Sequence, residues 1–193
     1  MNINPYRITD TFRLKVGLFM YKKQTNKTAM LSQRLIADAM FRLMQKYRFQ
    51  QITVTDICEE AGVGRKTFYR NFELREDVID FQLDTLCGLY AQRISGRPIE
   101  DLLFCHFEFI RAHAGFFIAL YQSGLDHLAH QKFSVFLPDT MPVWSHNPIE
   151  QEYHSQYVIA GIEAVQRVWI SRGCQESIDQ VVSIVQQIQL GQQ

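Results

Sequence analysis

The chain has 193 residues, of which 47% are hydrophobic and 21% charged, so one large domain, or a small domain joined to a larger one, can bury a real core. No apolar run approaches the roughly 18 residues that span a bilayer, the first residues lack the apolar centre of a signal peptide, and the four cysteines form no C-x-x-C pair. We therefore expect a soluble cytoplasmic protein that needs no membrane, disulfide scaffold or metal site.

The two signs of charge are separated along the chain. The formal net charge is zero, yet residues 1–75 carry a net charge of +8 and residues 76–193 a net charge of −8. This separation suggests a polyanion as the partner of the first part, although a charged stretch is also commonly just a solvated face.

Apolar residues recur at spacings of three and four through almost the whole sequence, which predicts an all-α chain. The first long helix is predicted over residues 28–47. Gln33 is assigned to its polar side, and its buried stripe comprises Leu35, Ile36, Ala39, Met40, Leu43 and Met44.

Two short helices separated by a glycine-containing turn are predicted next. Thr53 is placed to cap a helix over residues 54–61, and Gly62 can adopt the left-handed conformation that ends it. A second short helix over residues 65–72 turns two phenylalanines to one side. Its outward side chains are cationic or carry hydroxyls: Arg65, Lys66, Thr67, Tyr69 and Arg70. This arrangement is typical of a helix-turn-helix.

Six further helices are predicted in the remaining sequence. A long linker helix over residues 75–94 has a buried side made of Val78, Ile79, Leu83, Leu86, Leu89 and Tyr90. The later helical segments cover residues 98–114, 115–123, 125–136, 148–172 and 177–190. Pro138, Pro142 and Pro148 enclose a loop where the chain can open toward a pocket.

The segment ITVTDICEEAGVGRKTFYRNFELREDVI resembles the signature of the TetR family of transcription regulators, over about residues 31–79. Two positions depart from the family pattern: Gly64 stands where Ser usually precedes the recognition helix, and Leu74 stands where a polar cap usually opens the next helix. The family's core and turn positions hold Ile36, Ala39, Leu43, Phe49, Ile52, Val54, Ile57, Ala61, Gly62, Val63, Phe68, Tyr69 and Phe72.

The resemblance implies two parts of the chain. Residues 28–74 would form an N-terminal three-helix helix-turn-helix domain that binds double-stranded DNA. Residues 75–193 would form a C-terminal helical domain for ligand sensing and dimerisation. The charges of residues 1–27 indicate a basic extension, which is expected to be either a flexible arm that follows the minor groove or the phosphates, or a disordered or partly artefactual extension; its cations are Arg7, Arg13, Lys15, Lys22, Lys23 and Lys27.

Six residues are predicted to contact DNA. The first turn of the recognition helix is expected to reach base edges or phosphates in the major groove, the Tyr69 hydroxyl is expected to bind a phosphate, and two helix starts are expected to anchor phosphates. The residues are Thr55, Arg65, Lys66, Thr67, Tyr69 and Arg75.

The last two helices are expected to form a four-helix dimer interface, as in the family, because they carry more apolar surface than one helix side needs. The interface residues would be Ile159, Ile162, Val165, Trp169, Val181, Val182 and Val185. An effector pocket would be bounded by Phe104, Phe107, Phe117, Tyr121 and Tyr157, although aromatic residues at helical spacing are equally typical of plain core.

The sequence therefore predicts a homodimeric repressor that binds a palindromic operator and responds to a small-molecule effector. The alternative is a coactivator or protein-interaction module of the same fold without its own operator. No G-x-S-x-G motif, Walker loop or dinucleotide fingerprint occurs, so we expect no enzyme activity and no cofactor. Salt-dependent binding to the protein's own promoter region separates the two alternatives.

Overall fold

The computed structural model describes residues 26–140 and 143–189, and all regular structure in these ranges is helical. The prediction of an all-α chain is confirmed. The cations of the basic extension from Arg7 to Lys23, and Pro142, lie outside the described residues. The helices are α1 (Lys27–Met44), α2 (Val54–Ala61), α3 (Arg65–Asn71), α4 (Glu76–Ile94), α5 (Leu102–Ala112), α6 (Ala114–Gln122), α7 (Asp126–Phe136), α8 (Pro148–Ser171) and α9 (Ile178–Gln189), with short 3-10 turns at Phe49–Gln51, Ile99–Asp101 and Leu137–Thr140.

Local signals set the start and end of α2. The Thr53 hydroxyl accepts a hydrogen bond from the Asp56 amide at 3.2 Å, and the Asp56 carboxylate accepts one from the Thr53 amide at 2.7 Å. Gly62 then takes a φ of 65°, the left-handed conformation in which a Cβ is unfavourable. These contacts fix the turn between α2 and α3.

Helix α1 contacts four other helices, α2, α3, α4 and α6. Ile36, Ala39, Met40, Leu43 and Met44 are buried as predicted. The prediction for Leu35 and Gln33 is wrong: Leu35 is 41% exposed and Gln33 only 3% exposed. These contacts bury a broader part of α1 than the single stripe that periodicity predicts, and Leu35 is not in it.

The linker helix α4 joins the first three helices to the rest of the chain through one continuous core. It packs against α1, α5 and α7, and its predicted apolar residues are buried except Leu89, which is 45% exposed and was assigned wrongly. A second connection runs between the 3-10 turn before α2 and the end of α6. There the Ser123 hydroxyl accepts from the Phe49 amide at 3.2 Å, and the Ser123 carbonyl accepts from Gln50 Nε2 at 2.8 Å.

Among the described helices, none is by itself long and apolar enough to cross a bilayer. One pair meets the length and composition requirement together, Ile99–Ala112 with Ala114–Gln122, but it bends by 69° at the break.

Candidate DNA-binding interface

Helix α3 presents a cationic first turn on a buried base. Arg65 and Lys66 are exposed and Thr67 is half-buried. Phe68 and Phe72, which anchor the opposite side, have no solvent exposure. Because a short helix has little stability of its own, these two rings fix the orientation of the cationic turn. The position and the exposure of Arg65 and Lys66 are those that the sequence predicted.

The N-terminus of α3 forms without a side-chain cap. Gly64 is its N-cap in an extended conformation, with φ −78° and no side-chain hydrogen bond. The helix is instead held from its far end, where the buried Asn71 amide donates to the Thr67 carbonyl at 2.8 Å. The missing serine cap of the family pattern therefore does not prevent the recognition helix from forming.

Tyr69 and Thr55 flank the cationic turn with hydroxyl groups. Tyr69 is 44% exposed, and its ring packs edge-on against Phe68 with centroids 5.4 Å apart. Thr55 is exposed in the first turn of α2, where backbone amides carry partial positive charge. Both residues thus have the exposure that a phosphate contact requires.

Arg75 is placed differently from the expected phosphate anchor. Its guanidinium Nη1 donates to the carbonyl of Phe49 at 3.2 Å and to the carbonyl of Ile52. Its Cζ also lies 4.8 Å from the Phe49 ring centroid. The side chain is therefore engaged in holding the start of α4 to the turn before α2, and it contacts protein groups that sequence spacing alone does not reveal.

Asp77 supplies the cap that Leu74 cannot. Its buried carboxylate accepts hydrogen bonds from the Glu73 amide at 2.7 Å and the Leu74 amide at 2.9 Å. Asp77 is not among the residues predicted from the sequence, although an acidic side chain in the first turn of a helix is a known signal for a helix start.

A cavity of about 560 Å³ lies between α4, α5, α7 and α8, and Gln189 of α9 is also in its lining. Its polar floor is a hydrogen-bonded chain in which His106 Nε2 lies 3.1 Å from Gln166 Oε1, and Gln166 Nε2 donates to the Tyr121 hydroxyl at 2.9 Å. Burial lowers the pKa of His106 to about 4, so this ring is neutral at physiological pH. The apolar walls include Ile94, Leu102, Leu103, Phe133, Ile159 and Ile162.

The five aromatic residues expected around a pocket do not surround this cavity together. Tyr157 lines it. Phe107 and Phe117 have no solvent exposure and pack against Trp169 at 5.4 Å and Phe133 at 6.1 Å, so they belong to the closed core. Phe104 is 36% exposed. Tyr121 reaches the cavity only through its hydrogen bond to Gln166.

The residues expected at a dimer interface are divided between the inside and the surface of the subunit. Ile159, Trp169, Val181 and Val185 are buried within the subunit itself, and the Trp169 indole donates to the Glu176 carbonyl at 3.0 Å. Ile162, Val165 and Val182 are half-buried. The exposed apolar strip of α8 and α9 lies beside them and comprises Tyr153, Tyr157, Val168, Ile184 and Ile188.

Comparison with solved structures defines the class of this fold. A structure titled "TetR transcriptional regulator from Streptococcus agalactiae 2603V" superposes with a TM-score of 0.65 at 17% identity, covering 82% of this chain and 93% of that one. The fatty acid degradation regulator FadR from Bacillus halodurans gives a TM-score of 0.62 at 18% identity, covering 88% and 98%. The chain has the all-helical fold of TetR-type transcriptional regulators.

A further similarity, at higher sequence identity, covers a shorter stretch of the chain. Over 55 residues the chain is 36% identical to the HTH-type dhaKLM operon transcriptional activator DhaS of Lactococcus lactis subsp. lactis strain IL1403, which is 28% of this chain and 29% of the relative's length. The structure titled "Dihydroxyacetone kinase operon activator DhaS" superposes with a TM-score of 0.57 at 22% identity, covering 84% of this chain and 96% of that one. No protein-family model matches the sequence.

Proposed function

We propose that this chain is a DNA-binding transcription regulator that inserts α3 into the major groove. The observation that carries the proposal is the exposed pair Arg65 and Lys66 on a helix whose opposite side is anchored by fully buried Phe68 and Phe72. Cations on the first turn of the second helix of a helix-turn-helix reach base edges and phosphates. The named functions of the similar proteins support the same assignment.

The regulator acts as a homodimer in this proposal. On α8 the exposed residues Tyr153, Tyr157, Ala164 and Val168 recur at spacings of four, seven and four, which places them on one side of the helix. Ile184 adds apolar surface from α9. A second copy can cover this strip by the same strip, since an isologous contact brings identical surfaces together. The dimer then has two helix-turn-helix units, one for each half-site of a palindromic operator.

The cavity is the proposed effector site, because its lining includes residues of α4, the helix that follows the helix-turn-helix. Tyr90 and Ile94 near the end of α4 line the cavity, while Arg75 at the start of α4 is bonded to the turn before α2. A ligand that shifts the end of α4 thereby moves the helix-turn-helix. In a dimer the two recognition helices must match DNA half-sites about 34 Å apart, so a small rotation of the subunits weakens the contacts to both half-sites.

The sign of regulation belongs to the proposal as well. The family resemblance favours a repressor, whereas the relative that is 36% identical over 55 residues is named an activator. Deleting the gene and measuring a reporter driven by the bound promoter decides between them: transcription rises for a repressor and falls for an activator.

DNA binding is tested by fluorescence anisotropy with fragments of the protein's own upstream region, across a series of salt concentrations. The double variant Lys66→Ala with Thr67→Ala should lose specific binding by at least about 30-fold, because each lost base contact costs about 1–3 kcal/mol. The control Arg97→Ala removes an exposed cation beyond the end of α4 and should bind like wild type. Equal binding by the double variant contradicts the assignment of α3. Salt-independent binding, or none by the wild type, supports a protein-interaction module instead.

A further inference from the structure

The cavity between α4, α5, α7 and α8 lacks a cationic side chain. Among the described residues that line it, Glu163 is the one with a formal charge, and no Lys or Arg takes part. The Glu163 carboxylate is already engaged, since His130 Nδ1 lies 2.6 Å from its Oε2. A carboxylate or phosphate entering this cavity would lose its hydration without gaining a counter-charge, and it would approach a carboxylate.

The polar floor of the cavity also carries no charge. The side chain of Gln166 bonds to His106 at one end and to Tyr121 at the other, so both its donor and its acceptor are used. With Gln166 Oε1 as acceptor, the neutral His106 ring donates from Nε2. An incoming charged group of either sign therefore finds no counter-charge at this polar floor.

One lining residue retains an unused polar atom. The His154 ring stacks on the Trp144 ring with centroids 4.7 Å apart and an angle of 4° between the planes. Its Nδ1 is buried and has no hydrogen-bond partner in the part of the chain that the structure describes. A buried polar atom without a partner is costly, and a ligand hydroxyl that reaches this nitrogen from the cavity can satisfy it in either tautomer, because a hydroxyl both donates and accepts.

We propose that this cavity binds an uncharged, predominantly apolar small molecule with a hydroxyl or a comparable hydrogen-bonding group that pairs with His154, and that it excludes carboxylates and phosphates. The volume of about 560 Å³ lies within the range of small-molecule sites. The inference rests on the proposed effector role of the cavity, and it specifies the chemistry of the effector.

Three probes of equal chain length isolate the effect of head-group charge: 1-decanol, decanoate and decylammonium. Their binding to the full chain is measured by isothermal titration calorimetry and by the fluorescence of Trp144, which lines the cavity. We expect decanol to bind with a dissociation constant at least about tenfold below those of both charged probes, since the site offers no free counter-charge. Equal or tighter binding of decanoate overturns the proposal, as does tighter binding of decylammonium or no decanol binding.

Three variants, one of them a control, test where the probes bind. Val158→Trp fills the cavity from α8 and should abolish decanol binding, whereas Glu152→Trp places the same side chain on an exposed position of α8 and should leave it intact. His154→Phe keeps an aromatic ring for stacking on Trp144 but removes both ring nitrogens, and it should weaken decanol about fivefold. The uncharged probe Nile red, which needs no donor or acceptor at His154, should bind His154→Phe like wild type.

A reversal of selectivity provides the sharpest test. Val158→Lys places an ammonium in the cavity wall and should raise the affinity for decanoate while lowering that for decanol. Unchanged probe binding in both Val158 variants shows that the probes bind elsewhere and overturns the assignment. Operator binding without probe is measured in parallel. If the probes do not bind as expected but the protein still binds its operator, the proposed ligand class is wrong; if the protein does not bind DNA, the proposed function is wrong.

Discussion

Replacing Lys132 by Met should destabilise the protein strongly, because it removes the ammonium from a buried charged cluster. Lys132 on α7 is 6% exposed, and its Nζ lies 2.5 Å from Asp80 Oδ1 and 2.9 Å from Asp84 Oδ1 on the linker helix α4. The variant leaves the two carboxylates of α4 without a counter-charge in a poorly hydrated region between α4 and α7. Breaking a buried ion pair from one side typically costs about 3–5 kcal/mol. For a chain of this size the melting temperature should fall by about 6–20 °C.

The loss of stability in Lys132→Met should be larger at high pH than at low pH. Burial raises the pKa of Asp80 above its ordinary value of 3.8, while Lys132 opposes that rise. Without Lys132 the pKa of Asp80 rises further, so the folded state takes up a proton at a higher pH than the unfolded chain does. Stability of the variant relative to wild type therefore recovers as the pH falls from about 8 to about 5. Urea denaturation across this range measures the difference.

Two further variants, a control and a triple substitution, complete the test. Lys46→Met removes an exposed lysine and should change stability by less than about 0.5 kcal/mol. Combining Lys132→Met with Asp80→Asn and Asp84→Asn removes the uncompensated charges and should recover most of the loss. A loss below about 1 kcal/mol in Lys132→Met, or a loss that is equal at every pH, refutes the reasoning.

The remaining predictions concern the dimer, a histidine and a turn. Val168→Asp, at a position 58% exposed in the subunit, should give monomers in light scattering, whereas Leu89→Asp, an exposed apolar position on α4, should leave the dimer intact; a dimeric Val168→Asp places the interface elsewhere. His106→Gln should reduce the loss of wild-type stability between about pH 6.5 and about pH 4, since the lowered pKa of His106 means that the unfolded chain takes up this proton first; an unchanged pH profile contradicts it. Gly62→Ala should cost about 1 kcal/mol in urea denaturation because φ is 65° there, and the helical Gly88→Ala should not destabilise; equal effects of the two refute the role of the left-handed turn.

The helix-turn-helix could be predicted from sequence because its signals act over a few residues. Thr53 caps an amide three positions away, Gly62 ends the same helix, and the phenylalanines four apart in α3 define its buried side. Each of these effects depends on chain neighbours and survives any later choice of packing partners. The bounds of α2 were therefore predicted as the structure has them.

Residues whose surroundings come from distant segments could not be assigned in this way. Leu35 is predicted to be buried because periodicity gives a helix a single apolar side, but α1 contacts four other helices and buries a different set of residues. Arg75 was expected at DNA because it is a cation at a helix start, and its carbonyl partners lie 23 and 26 residues earlier. Aromatic spacing likewise identifies rings that face inward, while a cavity depends on how four helices are spaced.

The contacts of α4 explain why ligand and DNA would influence each other in the proposed mechanism. Arg75 fixes its start to the turn before α2, Lys132 fixes Asp80 and Asp84 to α7, and its last turn borders the cavity at Ile94. Because Phe133 follows Lys132 directly and lines the same cavity, a ligand there contacts both α4 and the helix that clamps it. A ligand that binds the DNA-released arrangement about 100-fold better supplies about 2.7 kcal/mol to this helix pair. That energy is comparable to one or two base contacts, so a displacement of α4 suffices to change operator occupancy.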